Sequence, residues 1–301
     1  MNDELIWHDR PEPGLHRPVL IAAFTGWFDI AGGATAAIRH LGGDDGRLLA
    51  AIDPDGFFDF TASRPTVTLD DDGQRVVAWP RNEVRAGGAG AGGGGGGDSG
   101  AHDLVLLKGE EPNIRWGTFA GLLLDVAQRL SCEMVVTVGT VADTQPHTRK
   151  PLVFGSSTNE ALAARLGLSR PRYEGPTGVV GVLHDRLDRA GVPAIALRAP
   201  VPHYLAASPN PKSTVALLQH LEHVLGVPTG HGALGPEVEE WDRRHDAAVA
   251  SDDEAPAYVR QLEIVHDRRL DAAVAEEHDL AAELEAFLRE QRGDDPLAGD
   301  G

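Results

Sequence analysis

Four segments of the chain place polar side chains beside glycine or proline where an apolar run of strand length is expected to end. Open α/β sheets hold their ligands in the crevice at such ends. The first is Thr25-Gly26-Trp27-Phe28-Asp29-Ile30-Ala31-Gly32-Gly33. Gly26 would turn the chain from strand to helix, and the exposed N–H groups of that helix could hold an anion. Asp29 serves equally well as an ordinary helix cap. The second is Lys108-Gly109-Glu110-Glu111-Pro112-Asn113-Ile114-Arg115-Trp116. Glu110, and with less weight Glu111, could act as a general base or metal ligand, and Asn113 reads as a helix cap. The third, Asp143-Thr144-Gln145-Pro146-His147-Thr148-Arg149-Lys150, sets a histidine beside two cations. His147 could transfer protons with Asp143 orienting it, and Arg149 could bind an anion. The fourth is Pro200-Val201-Pro202-His203-Tyr204, where rigid prolines would fix His203 and Tyr204 in place.

No complete catalytic constellation follows from these residues. A Ser156, His147 and Asp143 triad can be written down, but no Gly-x-Ser-x-Gly elbow accompanies it. No dinucleotide fingerprint follows the first strand, and the histidines show no metal-ligand spacing, so neither a cofactor nor a metal is implied. Arg172-Tyr173-Glu174-Gly175-Pro176-Thr177-Gly178 leads into a helix that Thr177 can cap, but lacks the lysine of a phosphate loop.

Alternating strand and helix patterns would position these segments. Val19 to Phe24, Leu48 to Ile52, Leu104 to Leu107, Met134 to Val138 and Pro193 to Leu197 read as strands. Ala31 to Leu41, Ile114 to Leu130, Thr158 to Leu166, Val179 to Ala190 and Ser213 to Leu225 read as helices. Val67 to Ala78, around Asp70-Asp71-Asp72-Gly73, predicts a hairpin. The alternation predicts a mostly parallel sheet with helices on both faces. Ala86 to Gly100 holds ten glycines and reads as a flexible insertion.

The 301 residues carry 27 Lys+Arg against 46 Asp+Glu, a net charge of −19, which argues against nucleic acid or an anionic membrane as partner. No apolar stretch is long enough to span a membrane, and Met1-Asn2-Asp3-Glu4 does not open a secretory signal. The single cysteine, Cys132, forms no internal disulfide, and a cytoplasmic location is expected. The acidity is uneven. Residues 237–301 hold 20 acids and 7 bases, the remainder 26 and 20. Breaker-rich Thr229-Gly230-His231-Gly232-Ala233-Leu234-Gly235-Pro236 marks the change. We expect an α/β domain over 1–228, a helical acidic subdomain over 237–292 and a disordered tail over 293–301. In the subdomain Trp241 with His245, then Tyr258 with Leu262 and Val265, then Leu280, Leu284, Phe287 and Leu288 would form the apolar faces.

Read in order, Gly26-Trp27-Phe28-Asp29, Asp53-Pro54-Asp55-Gly56-Phe57-Phe58-Asp59-Phe60 with Arg64-Pro65, and Trp79-Pro80 resemble one known family. Gly109-Glu110-Glu111-Pro112-Asn113 with Arg115-Trp116, Pro146-His147-Thr148-Arg149, Tyr173 to Gly178, and Pro202-His203-Tyr204 continue the likeness. It is the actinobacterial branch of the proteasome-assembly-chaperone-two family. The resemblance implies a three-layer α/β/α sandwich akin to the phosphorylase/hydrolase-like fold, with a helical C-terminal addition. It also implies a homo-oligomer, a trimer among the candidate states, with proteasome subunits as candidate partners. Relatives can dock through a hydrophobic-Tyr-any tail, a pattern from which Leu297-Ala298-Gly299-Asp300-Gly301 departs.

The leading expectation is a non-enzymatic interaction or assembly-chaperone-like protein. The alternative is an enzyme acting on a small anionic or nucleoside-like substrate, with Asp29, Glu110 and His147 for acid/base work and Arg149 for the anion. Gly26, Asp29, Glu110, Asn113, Arg115, His147, Arg149, His203 and Tyr204 are the candidate ligand- or interface-binding residues.

Overall fold

The computed structural model describes residues 4–8, 14–87 and 102–271. In chain order it contains β1 (Leu5–Trp7), β2 (Val19–Thr25), α1 (Gly33–His40), β3 (Leu48–Ile52), β4 (Thr66–Leu69), β5 (Arg75–Ala78), β6 (Asn82–Ala86) and β7 (Leu104–Glu110). Then come α2 (Trp116–Arg129), β8 (Met134–Asp143), β9 (Phe154–Ser156), α3 (Glu160–Leu166), α4 (Val179–Arg189), β10 (Ala194–Pro202), α5 (Pro211–Leu225) and α6 (Gly235–Ala250). A further helix, α7, covers residues 255–271. Most of the glycine-rich insertion, the apolar positions from Leu280 to Leu288 and the tail over 293–301 lie outside the described residues.

Eight strands form one sheet in the order β1-β3-β6-β7-β2-β8-β10-β9, and β4-β5 form a separate hairpin. The centre, β7-β2-β8-β10, is parallel as the alternation predicts. Antiparallel strands extend it on both sides. Three of these, β1, β6 and β9, are not marked in the sequence by an apolar run. β6 reads Asn-Glu-Val-Arg-Ala, and β1 and β9 span three residues each. β10 runs five residues past the expected end at Leu197, through Pro200 and Pro202. Its partner β9 pairs only as far as Arg198, so both prolines lie on an edge where a missing N–H breaks no ladder.

Because side chains alternate across a strand, each central strand feeds two cores. Leu20, Ala22, Val105, Leu107 and Val135 pack under α2 and α4 with Phe119, Leu123, Leu183 and Leu187. Val19, Ile21, Ala23, Leu104, Leu106, Val136 and Val138 pack under α1 and α5 with Ala37, Ile38, Leu217 and Leu221. This is the three-layer α/β/α arrangement.

Three helices start later than their patterns suggest, α3 at Glu160 because Asn159 caps it. Ala31 (φ 59°) and Gly32 (φ 66°) are left-handed, so α1 begins at Gly33. Arg115 (φ 58°) likewise delays α2 to Trp116.

Phe119 is fully buried, meeting Phe24 and Phe57 edge-on at 6.0 and 5.5 Å. It joins α2, β2 and the loop after β3. Phe119→Ala is expected to cost about 3–5 kcal/mol in urea unfolding; a loss below 1 kcal/mol would contradict the packing described.

Candidate functional site

The C-terminal ends of the central strands do gather polar residues, but most are engaged with the backbone of the fold. Glu111, just beyond β7, sits between the turn after β2 and the start of α4. Its carboxylate accepts from the N–H of Trp27 (3.3 Å) and from that of Val179, the first residue of α4 (3.0 Å). It caps α4 in place of Thr177, since neither Gly178 nor its neighbours supply a side-chain cap. A carboxylate is favoured at a helix N-terminus both by the free N–H groups and by the dipole. The two glycines beside it follow from this close approach. A Cβ on Gly26, whose φ is 140°, would lie 2.8 Å from Glu111 Oε2, and one on Gly178 would lie 2.6 Å from Oε1.

Asp29 is buried and points at the start of α1. It accepts from the N–H of Ala34 (2.8 Å) and Thr35 (3.3 Å) and from the Thr35 hydroxyl (2.5 Å). Burial pushes its pKa up, against the pull of these bonds. Glu110 ends β7 in register with Thr25, and its carbonyl accepts from Asn82 Nδ2. Asn113 is not the cap of α2. Its Oδ1 accepts from the N–H of Asp59 (2.9 Å) and the Ser63 hydroxyl (3.1 Å), pinning the loop after β3. Arg115 lies over the Phe57 ring at 5.0 Å and pairs with Glu4.

The third and fourth segments meet the C-terminal helices. His147 is buried. Its N–H donates to the Tyr204 oxygen (2.9 Å), and the Tyr204 hydroxyl donates to Nδ1 (2.7 Å). That leaves the proton on Nε2, which faces Asp246 of α6 at 3.2 Å. The orienting carboxylate is therefore Asp246; Asp143 turns to the N–H of Thr144. Burial holds the His147 pKa below the ordinary histidine value, in keeping with a neutral ring, and pushes Tyr204 up to about 12. Arg149 forks onto Asp267 of α7 (2.9 and 2.8 Å) and reaches Glu263 (3.2 Å). His203 Nδ1 donates to the Asp143 carbonyl (3.0 Å), and the Tyr258 hydroxyl donates to its Nε2 (2.8 Å). Lys212 joins the His147 carbonyl to Asp242. Trp241 and His245 are buried as expected, but on α7 the inward line is Val259, Leu262 and His266. Val265 lies outside it, and Tyr258 reaches the body through its hydroxyl.

A sizeable cavity lies elsewhere. A space of about 660 Å³ opens between α4, β10 and the loop 171–178. Trp27, Tyr173, His184 and Arg198 are among its lining residues; Asp29, Glu110, His147 and Arg149 are not. His184 contacts the Thr137 hydroxyl at 2.8 Å. His184 sits within an amphipathic helical stretch and Arg198 within an apolar strand, away from the glycine- and proline-rich segments that the sequence marks. The only hint is an arginine interrupting an apolar run. Among the described residues no group of three or more His, Cys, Asp or Glu could hold a metal, and no helix is long and apolar enough to cross a membrane.

A parallel-centred α/β/α sandwich, its strand-end loops clasped by acidic C-terminal helices, defines the structural class. The chain belongs to the PAC2 family, whose model matches residues 23–249. It is similar to the crystal structure of a PAC2 family protein from Streptomyces avermitilis (40% identity, TM-score 0.72, covering 80% of this chain and 99% of that one). It is also similar to a proteasome-assembly chaperone homologue from Mycobacterium tuberculosis (37% identity, TM-score 0.69, covering 80% and 99%). PbaB of Pyrococcus furiosus, an archaeal proteasome activator, shares the fold at 18% identity (TM-score 0.62, covering 81% and 97%). Among curated proteins, none matches this chain.

Burial and the nearby Arg198 cation drive the His184 pKa down to about 4, with Asp188 opposing them. The unfolded chain takes up this proton near pH 6.5 and the folded one only near pH 4. The stability tied to the neutral ring is thus present above pH 6.5 and falls away as the pH drops towards 4. His147 acts in the same direction. Thermal melts should show this loss, and His184→Gln should flatten it; an identical pH profile in that variant would contradict the assignment.

Proposed function

We propose that this chain is a non-enzymatic, assembly-chaperone-like protein that works in the cytoplasm as a homo-oligomer on proteasome subunits. The observation that carries the reading is its likeness, at 37% identity over nearly the whole of that relative, to a proteasome-assembly chaperone homologue. The geometry agrees with it. Of the four residues the enzyme reading calls on, Asp29, His147 and Arg149 are engaged in holding helix starts and the C-terminal helices, and Glu110 is not in the wall of the cavity. No finding favours the enzyme reading. We also take the helices beyond Pro236 to be an acidic appendage of the α/β body, held by Lys212, His147 and Arg149.

Self-association has a candidate surface in the β4-β5 hairpin. Val67 faces Val77 across the two strands, and Val67, Leu69, Val76 and Val77 are 49, 69, 40 and 44% exposed. A two-stranded hairpin is marginal in water without cover. A second copy would supply it in a closed ring, of which a trimer is the smallest beyond a dimer.

Val67→Glu combined with Val77→Glu should lower the mass measured by light scattering while leaving the thermal melt intact. The same variant should lose the ability to speed association of purified proteasome core subunits. Unchanged mass, or no acceleration by the unaltered protein, would overturn the corresponding half of the proposal.

A further inference from the structure

On the α2/α4 side of the sheet, α4 packs over the start of β10, where Ala194 joins Leu183 and Leu187, but leaves the stretch beyond it open. Ala196 and Arg198 of β10 therefore face the cavity of about 660 Å³ rather than a helix. Its volume lies within the range of small-molecule sites.

Arg198 is half-buried in the wall of this space. Its guanidinium packs 6.0 Å from the Phe28 ring centre. No carboxylate or carbonyl of the described residues accepts a hydrogen bond from it. This sets it apart from the other half-buried arginines of the described residues. Arg85, similarly placed on β6, is held by Glu83 and the Gly46 carbonyl, and Arg149 by Asp267 and Glu263. A guanidinium withdrawn from bulk water without a counter-charge is costly, and it offers a planar fork suited to a carboxylate or sulfonate.

The rest of the wall describes the body that such an anion would carry. Trp27 and Phe28, 5.5 Å apart, flank the space on one side. Tyr173, whose hydroxyl is tied to the Pro176 carbonyl, stands on another. Trp27 and Tyr173 are 58 and 71% exposed, an arrangement that leaves large flat faces open to a ligand. Asp185 and Asp188 of α4 also line the cavity. Asp185 is paired with Arg189, but the two acids still disfavour a polyanion such as a nucleoside di- or triphosphate.

We propose that this cavity binds a small organic acid with one negative charge on a flat apolar body, the anion on Arg198 and the body among Trp27, Phe28 and Tyr173. The site is separate from the β4-β5 hairpin and does not depend on the assembly role.

The test uses the full chain and two fluorescent probes of similar shape: 8-anilinonaphthalene-1-sulfonate, a monoanion, and N-phenyl-1-naphthylamine, which is neutral. The sulfonate should bind one per chain and be displaced by 1-naphthylacetate. Arg198→Met should weaken the sulfonate about tenfold or more, the loss of one charge-assisted contact, with the neutral probe changed by less than about twofold on the same scale. Trp27→Ala should weaken both. Arg198→Lys, which keeps the charge, should restore part of the sulfonate affinity and guards against a folding defect in the methionine variant. Equal sulfonate binding by the unaltered protein and Arg198→Met would overturn the proposal. So would binding that appears only as the light-scattering mass falls, because a second copy would then be the natural occupant of the cavity.

Discussion

Four parallel strands buried on both faces impose the constraint on which the rest of this molecule depends. β7, β2, β8 and β10 are almost wholly apolar along their buried lengths, so they supply the core. At their C-terminal ends, however, the chain must leave the sheet, and its backbone groups must find partners inside protein. Asp29 and Glu111 meet the need at the starts of α1 and α4. Tyr204 meets it at His147, beyond β8. Polar residues at strand ends, the usual mark of an active site in this architecture, here serve mainly as joints.

The same ends explain the acidic C-terminal helices. His147, Arg149 and Lys212 emerge together, and α6 and α7 bring Asp246, Asp267, Glu263 and Asp242 to them. Exposed ion pairs contribute little singly, but here they surround buried Trp241, His245, Val259 and Leu262. Apolar burial provides the adhesion, and the charges select the register. What remains outward is apolar surface on the β4-β5 hairpin and a cavity with an unpaired cation, features of recognition more than of turnover.

The layers were legible because apolar runs of strand length and helical periodicity are local properties. Val19 to Phe24 has the length and continuous apolar character of a strand buried on both faces, and the Asp70 to Gly73 turn marks its hairpin. Asp29 as a helix cap followed from its place between a strand and an amphipathic stretch. The choice between Glu110 and Glu111 did not, because adjacent residues leave a strand on opposite sides. Arg198 was hidden for a related reason. Its role depends on β10 continuing past Leu197 and on α4 leaving that part of the strand open, both matters of tertiary arrangement. The inward line of α7 was likewise set by docking on His203 and the body. Family likeness, carried by seven ordered motifs, reached further than any single residue.

The most direct measurement of the central claim is native mass spectrometry of the tagged protein, gently purified from its own cells. The account predicts a homo-oligomer carrying proteasome subunits. A monomer free of any protein partner, recovered intact and folded, would contradict it.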